Sequence, residues 1–331
     1  MRCVPLLLVL FFFAPPLIDY ETNMGTSAIA TEKTNPISDY WRSVRKGEQG
    51  YSAVKGNESG VLIQPYGESW RQIRNGTLSK VGAGFLTLTV FALGAFYLWR
   101  GQVKLTLPKT GKTIQRWSTF ERFLHWYSAT LFLVLSFTGL SLLFGRSTLM
   151  PLVGKNAFSC YAEIAKVLHN FLGPAFIIGL VLMTVIWFKD NLPNRLDIEW
   201  FKALGGFIGD KHPSAERMNG GEKAWFWLLV CGGIIVSFSG LILDFPIFGQ
   251  QRWMMQASHI FHVICSILLI IGSLGHIYIG TIGTEGALQG MKNGRVEVAW
   301  AIQHHDIWYK EENNKKSTLK PPAKSTETTR K

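Results

Sequence analysis

His262 and His276 stand fourteen residues apart in a stretch, Ala257 to Gly283, that contains no charged residue. An apolar run of that length reads as a transmembrane helix, and imidazoles kept at lipid depth are ionisable groups that ordinarily have a function. Fourteen steps of about 100° come to four turns less about 40°, so both rings point to one face, roughly 21 Å apart along the axis. One histidine therefore falls near each surface of the membrane. A neutral imidazole nitrogen in that position is either a metal ligand or a hydrogen-bond partner for a neighbouring helix. The other spans decide between the two.

The chain has 331 residues, 47% of them hydrophobic, with 12 Trp and 22 Phe, and a mean hydropathy of +0.15. That composition is more apolar than a soluble domain of this size tolerates and points to a polytopic membrane protein. Five further apolar blocks stand out: Val4 to Phe13, Gly82 to Trp99, Phe123 to Phe144, Ile164 to Phe188 and Ala224 to Leu243. The first is short, follows Arg2, breaks at Pro15 and Pro16, and precedes the small-residue run Ser27-Ala28-Ile29-Ala30, so residues 1–30 read as a secretory signal. Cys3 belongs to that signal, and Cys160, Cys231 and Cys265 are isolated. There is thus no iron–sulfur spacing and no covalent C-x-x-C-H haem attachment. Any redox centre has to be held by histidine.

Charge orients the five remaining spans. The connection from Arg100 to Arg116 carries Arg100, Lys104, Lys109, Lys112 and Arg116 and no acid, which suits a cytoplasmic face. The loop from Gly145 to Cys160 has only Arg146 and Lys155, and that from Asp244 to Gln256 only Arg252 as bases, which suits the outside. The loop from Lys189 to Lys223 and the C-terminus then lie inside. The net charge of +12 is explained by these cytoplasmic segments, which anionic lipid attracts. No basic stretch is interleaved with aromatics as a nucleic-acid platform would be.

With the spans oriented, the histidines sort by depth. His125 and His276 share the inner layer, and His169 and His262 share the outer one. Two pairs, one toward each side of a helical bundle, are what two haems with two imidazole ligands each would require. Gly139, Gly173, Gly272 and Gly275 flank these positions and offer room for a flat macrocycle, or for close helix packing. His259 lies about 100° off the His276 face, which makes it a poorer ligand than His262 and leaves it a supporting or interfacial role. His212, His304 and His305 fall in cytoplasmic segments and are expected to be solvated. Trp126-Tyr127 and Trp225-Phe226-Trp227 read as interfacial belt.

In this order and spacing the local sequences resemble the gamma subunit, a membrane cytochrome b, of respiratory formate dehydrogenase. The matching stretches are ERFLHW around His125, VLHNFLG around His169, MNGGEKAWFW at 218–227, the last span with its two histidines, GMKNGRV at 290–296 and AIQHHDIWYKE at 301–311. The resemblance implies an all-α, polytopic bundle: a four-helix dihaem cytochrome b core over 117–310, preceded by one extra transmembrane helix at 82–99. It implies haem b held by His169 and His262 on the outside and by His125 and His276 on the inside, the same pairs that topology selects. It further implies a quinone pocket at the positions of Asn219, Gly221, Glu222 and His276. Glu222 stands where the family often has an amide, and Met218 where it often has an aromatic. N-G-G-E also reads as a helix start, with Asn219 as N-cap and Glu222 closing a capping box.

The implied partners are a molybdenum or tungsten catalytic subunit and an iron–sulfur subunit, with electrons passing from formate through the two haems to the quinone pool of a bacterial inner membrane. The chain would be the non-catalytic, electron-transfer part of that complex. Residues 31–81 are expected to form a loosely ordered outer arm, and 311–331 a disordered cytoplasmic tail. A cytochrome b serving a nickel–iron hydrogenase or a thiosulfate or polysulfide reductase would share these spans and histidines. A histidine-containing transporter would share the spans alone.

Overall fold

A computed structural model of the chain describes residues 36–46, 65–208 and 212–318; the expected signal at 1–30 lies outside them. Among the described residues five helices are long and apolar enough to cross a membrane, at Gly67–Arg100, Thr119–Thr148, Lys155–Trp187, Gly220–Asp244 and Arg252–Gly283. The chain is an all-α, multi-pass membrane protein, as its hydropathy predicts. In order, its helices are α1 (Pro36–Lys46), α2 (Pro65–Gln72), α3 (Ser79–Arg100), α4 (Thr119–Thr148), α5 (Lys155–Trp187), α6 (Arg195–Lys202), α7 (Gly220–Asp244), α8 (Arg252–Tyr278), α9 (Ala287–Asn293), α10 (Val298–His304) and α11 (Asp306–Thr318). A two-stranded ribbon pairs β1 (Thr113–Gln115) with β2 (Arg295–Glu297) antiparallel, Ile114 opposite Val296. The spanning helices keep large apolar side chains on their outer surfaces, among them Phe91, Phe123, Phe171, Val185 and Phe238, where lipid replaces water as solvent.

Helix starts follow the polar signals in the sequence. Ser118 and Glu121 bond each other's backbone N–H at 3.2 and 2.8 Å before α4. Asn194 and Asp197 cap α6 in the same way. Asn219 and Glu222 open α7 with reciprocal bonds of 3.0 and 2.9 Å. Each box satisfies N–H groups that a helix leaves unpaired at its first turn, and is worth about 1 kcal/mol.

The described residues divide into two compact units, one drawn from within 1–92, 131–175 and 234–271 and the other from within 93–130, 176–233 and 272–331. In the first, the stretch expected to be loosely ordered is helical from Pro65: α2 runs through a π turn at Ile73–Leu78 into α3. The polar residues that made this segment look like an arm are used locally. Glu68 takes two bonds from Arg71 at 2.8 and 2.7 Å, and Ser79 Oγ donates to Arg74 O at 2.6 Å in the π turn. In the second unit, Ile114, Val296, Trp300, Ala301 and Trp308 form one apolar cluster, and Trp117, Trp187, Met218, Phe226 and Val230 another. The tail expected from Glu311 onward continues α11 as far as Thr318, supported by ion pairs Lys310–Asp306 at 3.4 Å and Lys315–Glu312 at 2.8 Å.

His304 and His305, expected to be solvated, are packed instead against Trp300, at ring-centre distances of 5.3 and 5.1 Å. Burial first, then the charges of His305, His212 and Arg116, push His304 down to about 3; burial and then Arg116 hold His305 well below the usual histidine range. The unfolded chain takes up protons on these rings near their ordinary pKa of about 6.5 while the folded one does not, so stability falls as pH drops through that value toward 3. The melting temperature in detergent should therefore fall between about pH 7.5 and about pH 5, and His304→Gln should flatten that slope. An unchanged slope in the variant would place the pH dependence elsewhere.

Candidate functional site

In the first unit, α5 presents His169 and α8 presents His262, with ring centres 6.1 Å apart and planes at 68°. Each ring is fixed through Nδ1 by a neighbouring span. Thr138 Oγ1 on α4 lies 2.9 Å from His169 Nδ1, and its own hydrogen is already given to Val134 O at 2.8 Å. The hydroxyl oxygen therefore accepts, and Nδ1–H donates. Ser239 on α7 repeats the arrangement: its hydroxyl donates to Ile235 O at 2.6 Å, while His262 Nδ1 lies 3.2 Å from Ser239 Oγ and 3.1 Å from Val236 O. Both rings are thus Nδ1–H tautomers with a free lone pair on Nε2, the state that an outer hydrogen bond gives to a metal-ligating histidine.

The next residue on each helix is a glycine for steric reasons. A Cβ at Gly139 would stand 3.1 Å from His169 Cε1, and one at Gly240 would stand 3.2 Å from His262 Cε1. Ser136-Phe137-Thr138-Gly139-Leu140 and Ser237-Phe238-Ser239-Gly240-Leu241 are near-identical pentapeptides on two spans. That internal repeat is the sequence signal that would have identified Thr138, Ser239 and Gly240 as part of the site. His259 turns to the N-terminal helices instead: its Nε2 accepts from Arg74 Nε at 3.3 Å, and its ring meets Trp70 edge-on at 5.5 Å.

In the second unit, His125 on α4 and His276 on α8 also have ring centres 6.1 Å apart, with planes at 53°. His276 stacks on Trp225 at 5.4 Å and 17°, which turns part of the expected aromatic belt into a wall of the site. His125 meets Trp126 edge-on at 5.1 Å, and its buried Nδ1 has no hydrogen-bond partner among the described residues. Gly275 and Gly173 face open space, whereas Gly272 is closed over by Trp225 and Leu228 and serves packing. With a metal–nitrogen bond of about 2 Å on either side and each ring centre about 1 Å behind its nitrogen, two imidazoles sharing one iron put their centres about 6 Å apart. Both pairs have that spacing.

Asn219, Gly221 and Glu222 share the first turn of α7, and Trp225, one turn further on, carries the ring of His276. The same turn is heavily engaged. Gly221 lies against Trp200, where a Cβ would come within 2.5 Å of the indole. Glu222 Oε2 accepts from Asn219 N, and Oε1 pairs at 3.0 Å with Arg116, whose side chain is 2% exposed. The Arg116 guanidinium lies 5.2, 5.0 and 5.4 Å from the ring centres of Trp117, Trp300 and Trp308. None of Arg116, Trp300 or Trp308 was singled out by sequence, because a basic residue in a basic loop looks like a solvated one.

Membrane-spanning helices that bring histidines together at the spacing of a shared iron define a membrane cytochrome of the b type. Residues 116–294, more than half of the chain, match the family of prokaryotic cytochrome b561. The chain is 30% identical over 205 residues to the nitrate-inducible formate dehydrogenase cytochrome b556(Fdn) subunit of Escherichia coli (strain K12), covering 60% of this chain and 92% of that one. It is 29% identical to the cytochrome b556(fdo) subunit of formate dehydrogenase from the same strain (61% and 95% covered), and 28% identical to the formate dehydrogenase cytochrome b556 subunit of Haemophilus influenzae (60% and 83%). The chain belongs to the prokaryotic cytochrome b561 family, among the cytochrome b subunits of formate dehydrogenase. It is a multi-pass, haem b-binding electron-transfer subunit.

The pairing makes a prediction about haem content. His169→Ala or His262→Ala should remove one haem and leave the other, and His125→Ala or His276→Ala should remove the second one, each leaving about one haem per chain in a pyridine haemochrome assay. His259→Ala should keep both. Loss of a haem in His259→Ala together with full content in His262→Ala would reverse the assignment on α8.

Proposed function

We propose that this chain carries two haem b and links formate oxidation to the quinone pool of a bacterial inner membrane. Its partners are an iron–sulfur subunit that delivers electrons on the outer side and a molybdenum or tungsten subunit that oxidises formate. The observation that carries this reading is the presence of two histidine pairs, each at 6.1 Å, in a chain similar to formate dehydrogenase cytochromes along most of their length. When bound, the haems supply one-electron transfer within the membrane. His169 and His262 hold the outer one, with Nε2 freed for iron by Thr138, Ser239 and Val236. His125 and His276 hold the inner one, and Trp225 fixes the His276 ring.

The basic connections before α4 and between α5 and α7 support a cytoplasmic location for the inner pair. Asn219, Gly221, Glu222 and His276 form the quinone site on that side. There the reduced ring can take protons from the cytoplasm, with Glu222 as the carboxyl that hands them on. The segment before α3 lies outside and is available to the partner subunits.

Reporter fusions should place Lys109 and the C-terminus in the cytoplasm and Lys155 outside; a cytoplasmic Lys155 would reverse the two layers. In the purified complex, formate should reduce the haems and then an added quinone. Asn219→Ala and Glu222→Ala should keep both haems and their reduction by formate while slowing quinol formation at least about tenfold, the order expected for losing a positioned proton donor. Normal quinol formation in both variants would confine this turn to helix capping.

A further inference from the structure

Glu222 faces a second buried base. His305, 1% exposed, donates Nδ1–H to Glu216 O at 2.8 Å, which fixes its tautomer and leaves a lone pair on Nε2. That nitrogen lies 3.8 Å from Glu222 Oε2 and has no hydrogen-bond partner among the described residues. Two acceptors therefore face each other with no hydrogen between them, an arrangement that is unfavourable until a proton enters it. The other carboxylate oxygen, Oε1, is committed to Arg116, so the carboxylate cannot turn away. Its side chain is 36% exposed, which gives water access to the pair from one side while His305 closes the other.

We infer that His305 and Glu222 together form a one-proton site that loads from cytoplasmic water and supplies the quinone, with His305 as the positioning and proton-holding partner behind the carboxylate. The inference rests on the quinone reading above. Reducing one quinone to quinol takes two electrons, which come from formate through the chain, and two protons. The pair holds one proton, so it loads twice per quinol. Each proton is taken from water into the gap between Nε2 and Oε2, then leaves by way of Oε2 for a ring oxygen, and the pair returns to its unprotonated state, with Oε2 still accepting from Asn219 N.

The charges around the gap favour release over storage. Burial weighs heaviest against an added positive charge on His305 and Arg116 also opposes it, while the hydrogen bond to Glu216 O and the charge of Asp306 support it.

His305→Gln keeps a side chain of similar reach, replaces the acceptor with an amide donor, and cannot hold the proton. In the haem-loaded complex, formate should still reduce both haems in this variant, whereas quinol formation should slow about tenfold or more and lose its dependence on a single protonation at acid pH. Quinol formation at the unmodified rate with an unmodified pH profile would overturn the inference. Formate-reduced haems with no quinol formation in the unmodified complex would instead sink the quinone reading on which it rests. Should His305→Gln not assemble, redox-difference infrared spectra of the unmodified complex decide the matter. Carboxyl and imidazole bands should change together on quinone reduction; a carboxyl change without an imidazole change overturns the pairing.

Discussion

The His169–His262 pair is arranged around a constraint on histidine in lipid: away from water, a ring nitrogen left without a partner carries a cost. At His169 and His262 the solution is visible. One nitrogen is spent on a hydroxyl of the adjacent helix, and the hydroxyl is itself oriented by the carbonyl one turn back in its own helix. That leaves a lone pair aimed away from the protein's own hydrogen bonds. The neighbouring span must also come very close, which is why Gly139 and Gly240 follow Thr138 and Ser239. A Cβ at either glycine would crowd the ring at 3.1 and 3.2 Å, so the helix contact, the tautomer and the nitrogen that keeps its lone pair are set by the same few residues.

At His125 and His276 the same ring spacing is reached with different support. The His276 ring is held by stacking on Trp225, and His125 Nδ1 is buried without a hydrogen-bond partner among the described residues. One ring pair is thus oriented by hydroxyls and carbonyls and the other by aromatic faces. Outer hydrogen bonds raise the basicity of an imidazole and aromatic packing does not, so the two ring pairs differ in their electronic surroundings.

Much of this was legible in the sequence. The five spans follow from hydropathy, the shared face of His262 and His276 from helical phase, and the pairing of His125 with His276 and of His169 with His262 from the depth at which each falls in its span. The capping box at Asn219 and Glu222 was legible too, since it is a contact three residues long. What was not legible depends on distant partners. Residues 65–81 have the composition of a loop, yet they form a helix whose Arg74 reaches His259. His304 and His305 look solvated because the segment around them is polar, yet indoles bury them. The repeated Ser-Phe-Thr/Ser-Gly-Leu was present in the sequence, but its meaning required knowing which histidine each copy meets.

Arg116 and Glu222 show how far one distant pair can reach. A guanidinium enclosed by three indoles gains from their faces, but burial still works against its charge, and an unpaired buried charge costs several kcal/mol. Glu222 is the carboxylate paired with it. The same carboxylate bonds Asn219 N and so starts α7, the helix that carries Trp225 and, through it, the His276 ring. An amide at 222 could cap the helix but would bring no charge to Arg116. The acid at this position is therefore coupled to the tryptophan cage around Arg116, and neither is a local choice. The indoles at 300 and 308 make the arginine buried, the buried arginine favours an acid at 222, and the acid then lies within reach of His305. Through that sequence of dependences a short segment after the last span acts on the residues around the His125–His276 pair without contributing a ring to it.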